Sequence, residues 1–168
     1  MNKFIFITGA SGSGKTTLLN EIEKSNLLDL EFFYFDRLGI PTKEEMEKQY
    51  DSQENWQRET TISWIKDIKE KHLQNKSIVL DRQARLSFII EAFKKNDISN
   101  FEIVLLDCSD EEREKRLIER GHPELANFDM MNWAKYLRNE ALENNVTIID
   151  TTNLSIEEAQ EKLIGLLK

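Results

Sequence analysis

Apolar residues in this chain come as short runs separated by longer stretches in which they recur every three or four positions. Phe4-Ile5-Phe6-Ile7, Phe32-Phe33-Tyr34-Phe35, Ser77 to Leu80, Phe101 to Leu106 and Val146 to Ile149 are too short for helices and rich in strand formers, so they predict five strands. Runs that are apolar on both faces belong to parallel sheets covered on both sides. Between them, Leu18, Leu19 and Ile22 predict a helix over about residues 14–25, and Ile62, Ile65 and Ile68 one from about Glu54 to Leu73. Leu86, Ile89, Ile90 and Phe93 mark another, followed by Met130, Trp133, Leu137 and Ala141, and by Ile156, Ala159, Leu163 and Leu166. Thr42-Lys-Glu-Glu45, Ser109-Asp-Glu-Glu112 and Ser155-Ile-Glu-Glu158 fit capping boxes that open helices. Strand and helix alternate throughout, which predicts an α/β domain: a five-stranded parallel sheet with helices on both faces.

Candidate chemistry enters with the segment from Gly9 to Thr17, Gly-Ala-Ser-Gly-Ser-Gly-Lys-Thr-Thr. It fits G-x-x-x-x-G-K-[ST] with Gly9, Gly14, Lys15 and Thr16 at the fixed positions. Glycines at 9, 12 and 14 reach backbone angles closed to residues with a Cβ, so successive N–H groups can turn onto one anion. Lys15 adds a mobile positive charge, Thr16 offers a hydroxyl to a magnesium ion, and the helix beginning here aims its positive dipole end at the same place. Gly9, Gly12, Ser13, Gly14, Lys15, Thr16 and Thr17 are therefore the candidate nucleotide-binding residues.

This motif, set between an apolar run and a helical pattern, resembles the P-loop NTPases, and the rest of the chain resembles their small-molecule and nucleoside monophosphate kinases. The resemblance implies one domain over residues 1–168 with strand order 2-3-1-4-5, a short lid at about 120–130 and acceptor-binding helices at about 37–75. It implies ATP and Mg2+ as cofactors and transfer of the γ-phosphate to a small-molecule acceptor, whether nucleotide, nucleoside or another hydroxyl metabolite. The rival reading is a nucleotide-binding switch or ATPase with little transfer.

Further residues take roles within that resemblance. Asp36 and Arg37 follow the second apolar run, where ligands gather in parallel sheets; Asp36 is a candidate base for an acceptor hydroxyl, or a turn aspartate. Asp81, closing the third run, resembles the carboxylate that holds magnesium through water. Arg85, four residues on, resembles the arginine that grips an acceptor's phosphate or carboxylate, and reads otherwise as a surface residue on a first helical turn. Arg113, Arg116 and Arg120 share one helix face just before Gly121-His-Pro123 breaks the pattern, and Arg116 and Arg120 resemble the ATP-handling pair at the start of a lid. Arg138 on the returning helix could swing over the phosphates, and Asn153 lies in the loop expected to edge the base. Trp56 and Trp64 read first as packing and second as the wall of an acceptor pocket.

Composition narrows the partners. At 168 residues with a net charge of −8, the chain lacks the clustered positive face that nucleic acid requires, so phosphate binding should be local. No apolar run approaches the roughly 18 residues of a membrane span. With no signal segment ahead of the first strand and Cys108 as the single cysteine, a cytoplasmic monomer or homodimer is expected.

Overall fold

The structure, a computed structural model, describes residues 2–167. Strands β1 (Phe4–Thr8), β2 (Leu30–Tyr34), β3 (Ser77–Asp81), β4 (Phe101–Asp107) and β5 (Thr147–Asp150) form one five-stranded sheet in the order β2-β3-β1-β4-β5. All run parallel; Phe32 sits beside Val79 in the β2–β3 ladder and Leu105 beside Ile148 in the β4–β5 ladder. The helices are α1 (Lys15–Ser25), α2 (Lys43–Tyr50), α3 (Gln53–Lys71), α4 (Leu86–Lys95), α5 (Asp110–Glu119), α6 (Phe128–Glu143) and α7 (Ile156–Leu167). This is the single-domain P-loop kinase fold, with the expected strand order.

Within it the chain forms two compact units. One holds Leu30–Glu102 together with the chain up to Phe6, and the other holds Ile7–Asp29 together with the chain from Ile103 onward. In the first, Phe93 of α4 meets Phe4 edge-on at 5.2 Å and stacks on Phe101 at 4.3 Å, aromatic packing that ties helix to strands. Helix α3 packs against α2 and α4 with Thr61, Ile65 and Ile68 inside. The expected Ile62 is only half-buried, because a stripe at i, i+4 and i+7 runs through Thr61, whose hydroxyl donates to the Gln57 carbonyl and so enters the core satisfied. Strand β2 ends at Tyr34, one residue before the apolar run does, and Phe35–Leu38 coil into a 3₁₀ turn that buries Phe35 beside Trp56 and Trp64.

In the second unit, α1 packs against α7 through Leu18, Leu19 and Ile22 on one side and Ala159, Leu163 and Leu167 on the other. The α7 stripe runs at 159, 163 and 167, which leaves Leu166 half-buried and Ile156, expected inside, 52% exposed. Helix α6 buries Ala134, Leu137 and Ala141, with Met130 and Trp133 half-buried.

The boxes at Thr42–Glu45 and Ser155–Glu158 form with both reciprocal hydrogen bonds. At α5 only Ser109 caps, accepting from the Glu112 amide; the Glu112 carboxylate turns to Arg116, and the Ser109 amide donates to the Thr152 hydroxyl.

Candidate functional site

Strand β1 feeds the glycine loop, where Gly9, Gly12 and Gly14 take φ of +149°, +83° and +92°. At Gly9 a Cβ would fall 2.2 Å from the Leu106 carbonyl oxygen, and at Gly12 it would fall 3.0 Å from Cγ of Arg113, so close approach as well as angle demands glycine at both. Gly14 N-caps α1 in the left-handed conformation, no side chain caps that helix, and its first turn holds no acidic residue. A helix start of this kind, with no side-chain cap and no acid in its first turn, suits an anion. The Ser13 hydroxyl is buried with no hydrogen-bond partner among the described residues, an orphan that a bound phosphate oxygen would satisfy. Lys15 is buried at 9% exposure, whereas the Thr16 and Thr17 side chains are exposed.

The three arginines of α5 differ sharply in environment. Arg113 is fully buried and donates to the Ser11 carbonyl at 2.8 Å, to Asp107 Oδ1 at 2.6 Å and to the Cys108 carbonyl at 3.2 Å. It is a strut of the loop rather than a residue facing ligand. Arg116 donates to the Thr151 hydroxyl and carbonyl, each at 2.8 Å, pairs with Glu112, and brings Nη1 to 3.5 Å from the Gly12 and Ser13 carbonyls. The Thr151 hydroxyl in turn lies 3.2 Å from the Ser13 carbonyl and 3.1 Å from that of Asp107. Arg120 caps the end of α5 and is exposed. Arg138 is held by the second oxygen of Asp107, which raises its pKa, so the expected swing over the phosphates would first require that pair to open.

A cavity of about 430 Å³ gathers this chemistry in the second unit. Gly12, Ser13, Gly14 and Thr17 line one part of it, Arg116 and Arg120 with Glu112 and Glu119 another, and Leu18, Leu154, Ile156 and Ala159 give an apolar part. Thus the exposed Ile156, misplaced in the core by periodicity, has a cavity to line. Asn153 is exposed, and its neighbours Thr151, Leu154 and Ser155, rather than Asn153 itself, form the wall. Thr151 and Leu154 belong to the loop expected to edge the base, but the tie from Thr151 to Arg116 and the part played by Asp107 were missed in the sequence, since nothing local distinguishes Asp107 from an ordinary strand-end residue.

The first unit holds the remaining candidates. Asp36 is exposed in the 3₁₀ turn after β2, and the Arg37 guanidinium lies 3.7 Å from the centre of the Tyr34 ring. Asp81 ends β3 at 6% exposure. Arg85 stands at the N-cap of α4; its guanidinium donates to Gln57 Oε1 at 3.2 Å and lies 3.5 Å from Glu54, so it braces α3.

Arg82, passed over in the sequence in favour of Arg85, is the more unusual group. It is 2% exposed, lies 3.7 Å from the centre of the Phe35 ring and donates to the Thr60 hydroxyl at 2.6 Å and the Gln57 carbonyl at 3.2 Å. Among the described residues, its Nε and Nη1 have no hydrogen-bond partner. Burial pushes this guanidinium down to about 9, against the pull of the Asp36 carboxylate, and it remains charged at neutral pH. Beside it opens a second cavity, of about 410 Å³, lined by Phe35, Tyr50, Glu59, Thr60, Ser63 and Trp64. Trp64 thus lines a cavity while packing edge-on against Phe35 at 4.8 Å; Arg85 is not among the lining residues.

Comparison with known proteins follows the same lines. The AAA domain family model matches residues 5–143. A nucleotide-binding protein of Thermosipho africanus (strain TCF52B) is 28% identical over 177 residues, an overlap covering 99% of this chain and 55% of that protein. The chain spans about half or less of the length of the curated relatives it matches. Shikimate kinase from Acinetobacter baumannii, solved in complex with shikimate, matches with a TM-score of 0.65 at 17% identity, covering 99% of this chain and 93% of that one. Deoxyadenosine kinase from M. mycoides, solved with bound dATP, matches with a TM-score of 0.62 at 18% identity, covering 98% of each chain. At such identities the likeness is one of fold. Among the described residues, no helix is long and apolar enough to cross a membrane.

Proposed function

The chain belongs to the AAA domain family, and from that premise we propose that it is an ATP- and Mg2+-dependent phosphotransferase that moves the γ-phosphoryl group of ATP to a small-molecule acceptor. The observation that carries this reading is the cavity in which the glycine loop meets Arg116 and Arg120. A switch that only holds nucleotide needs the loop; an exposed arginine at the same cavity, Arg120, suits a transition state whose charge spreads over the transferring group, while Arg116 braces the loop.

In this reading the loop amides, the orphan Ser13 hydroxyl and Lys15 bind the β- and γ-phosphates, while Leu18, Leu154 and Ile156 flank the base. Asn153 would add backbone contacts at the base edge. Thr16 would hold Mg2+, and Asp81 is proposed as the metal's carboxylate. Bound Mg2+ supplies charge neutralisation on the phosphates. Arg120, exposed at the end of α5, would close over the transferring group with the lid at about 120–130, and Arg116 would hold the loop in shape from Thr151. Asp36 would take the proton as the acceptor hydroxyl oxygen bonds to the γ-phosphorus; the bond to the β–γ bridging oxygen breaks, and ADP leaves with its electron pair. Arg37 and Arg85 would shape the acceptor side over residues 37–75, Arg85 by bracing α3. Because ATP is the donor, the cytoplasm is the proposed location.

The test is mass-spectrometric detection of ADP and a phosphorylated product from ATP, Mg2+ and a panel of nucleosides, nucleotides, sugars and other hydroxyl metabolites. Parent protein should phosphorylate at least one class, and Lys15→Ala should remove most of that activity while leaving the far-ultraviolet circular dichroism unchanged. ATP binding by calorimetry with no phosphorylated acceptor would assign the chain to the switch class instead.

A further inference from the structure

Arg82 is a buried charge with unmade bonds. Its side chain is 2% exposed, yet Nε and Nη1 find no acceptor among the described residues. The remaining nitrogen, Nη2, donates to the Thr60 hydroxyl and the Gln57 carbonyl, neither of which carries charge. Such a group raises the free energy of the fold, and its open donors require a partner that the described residues do not supply. The charges around it are balanced among themselves. Arg58 makes a two-point contact with Glu91 and lies 3.1 Å from Glu59, and Lys95 lies 3.0 Å from Glu91, so these two cations face two carboxylates. Asp36 pulls on Arg82 through space only, from an exposed position in the turn after β2. Arg85 is engaged with Gln57 and Glu54.

Its position ties this charge to the cavity of the first unit. Phe35 and Thr60 both line that cavity and both touch the guanidinium, Phe35 with its ring centre 3.7 Å away, so Arg82 lies one side chain behind the wall. The cover is lightly held. Phe35 opens a 3₁₀ turn whose following residues, 36–40, are exposed, and Gly39 after that turn has φ of +84° with no atom within 4 Å of a Cβ position. A ligand that turns the Phe35 ring aside uncovers a cation with open donors, and phosphate or carboxylate is the group that such donors hold most strongly. Trp64 and the Tyr50 and Ser63 hydroxyls are left for the body of the molecule, and the volume of about 410 Å³ falls in the range that encloses small ligands. Resting on the phosphotransferase reading, we infer that Arg82 is the anion-recognising residue of the acceptor site and that the acceptor carries a phosphate or carboxylate group.

The experiment is isothermal titration calorimetry of the full chain, with a non-hydrolysable ATP analogue and Mg2+ present so that the glycine-loop cavity takes up no other phosphate. The titrants are adenosine, guanosine, cytidine and uridine against their 5′-monophosphates, and methyl shikimate against shikimate, so that the two sources of negative charge are read apart. At least one anionic compound should bind about tenfold or more tightly than its neutral counterpart. Arg82→Met and Arg82→Gln, which both lack the charge, should lower that ratio by about tenfold, whereas Arg58→Met, which removes the neighbouring cation, should keep it within about threefold. Neutral compounds binding as tightly as the anionic ones, no binding of any anionic compound, a ratio that survives both Arg82 variants, or one that is lost in Arg58→Met would each overturn the inference. ATP turnover is read separately: charge-selective binding that depends on Arg82, without phosphorylated product from the parent, would leave the ligand class standing and remove the kinase reading.

Discussion

Asp107 is a carboxylate shared by two arginines of the second unit, and the sharing predicts an asymmetry between its partners. Its Oδ1 accepts from Arg113, which is fully buried, and its Oδ2 from Arg138, which is 37% exposed. Asp107→Asn keeps the volume and one oxygen that can accept from Arg113 but removes the countercharge of that buried guanidinium, and removing one partner of a buried ion pair costs about 3–5 kcal/mol. The Arg138 contact adds little, because a pair this open to solvent is worth about 0–1 kcal/mol. Arg113→Met acts differently. It removes the buried cation together with its desolvation penalty and leaves Asp107 paired with Arg138, so the loss is about 1–3 kcal/mol, mostly from hydrogen bonds to two carbonyls. Asp107→Asn should therefore be the more damaging by about 2 kcal/mol, read as a difference in urea midpoint at unchanged slope. Equal costs, or a larger one for Arg113→Met, would refute the reasoning, since Arg113 would then stabilise by something other than its charge pair.

Other outcomes follow from single contacts. Gly9→Ala should cut ATP affinity by about tenfold or more and lower the melting temperature, because the methyl overlaps the Leu106 carbonyl oxygen; unchanged calorimetric binding would contradict this. Arg58 hydrogen bonds hold the Glu91 carboxyl at about 2, below its ordinary 4.5, so their stabilisation is whole above the ordinary value and fades as pH falls toward the folded one. Both side chains are partly exposed, so the urea-midpoint advantage of parent over Arg58→Met should be small at neutral pH and should shrink between about pH 5 and 3; an advantage that grows there would reverse the sign. Arg82→Met should leave stability unchanged or raised, because Nε and Nη1 make no hydrogen bonds to lose; a melting temperature lower by more than about 8 °C would show that the Thr60 and Gln57 bonds outweigh desolvation.

The sequence disclosed the fold because the central strands β1, β3 and β4 are buried along most of their length, and the helices carry one-sided apolar stripes. What it blurred were single residues whose fate depends on a partner far along the chain. Phe35 reads as the end of a strand and is drawn into a turn by Trp56 and Trp64. Thr61 replaces Ile62 in the core because its hydroxyl finds a carbonyl four residues back, a bond that composition does not announce. The glycine loop was legible because its function is local: the angles, the missing cap and the lysine all lie within nine residues. The cavity of the first unit is assembled from Phe35, Tyr50 and one polar helix whose spacing reads as solvated surface, and Arg82 was overshadowed by Arg85 because only α3, packed from some 25 residues away, decides which is buried.

The arginines of α5 carry this argument into function. Spacing put Arg113, Arg116 and Arg120 on one face and could not rank them. Their partners do: all of Arg113's hydrogen bonds run to the protein's own Ser11, Asp107 and Cys108, and Arg116 is tied to Thr151 and Glu112 beside the loop carbonyls. A guanidinium held on both edges maintains the shape of a phosphate loop but has less reach to follow a charge that develops during transfer. Arg120 is the exposed one, set at the end of α5 just ahead of Gly121, whose φ of +80° turns the chain, and it lines the cavity. On the proposed phosphotransferase reading, this division of labour along one helix, strut then brace then exposed cation, gives the proposed transition-state role to Arg120. Arg120→Ala should accordingly lower kcat with little change in ATP affinity, and Arg116→Ala should weaken ATP binding itself; steady-state kinetics paired with ATP calorimetry would show the two effects interchanged if the assignment were wrong.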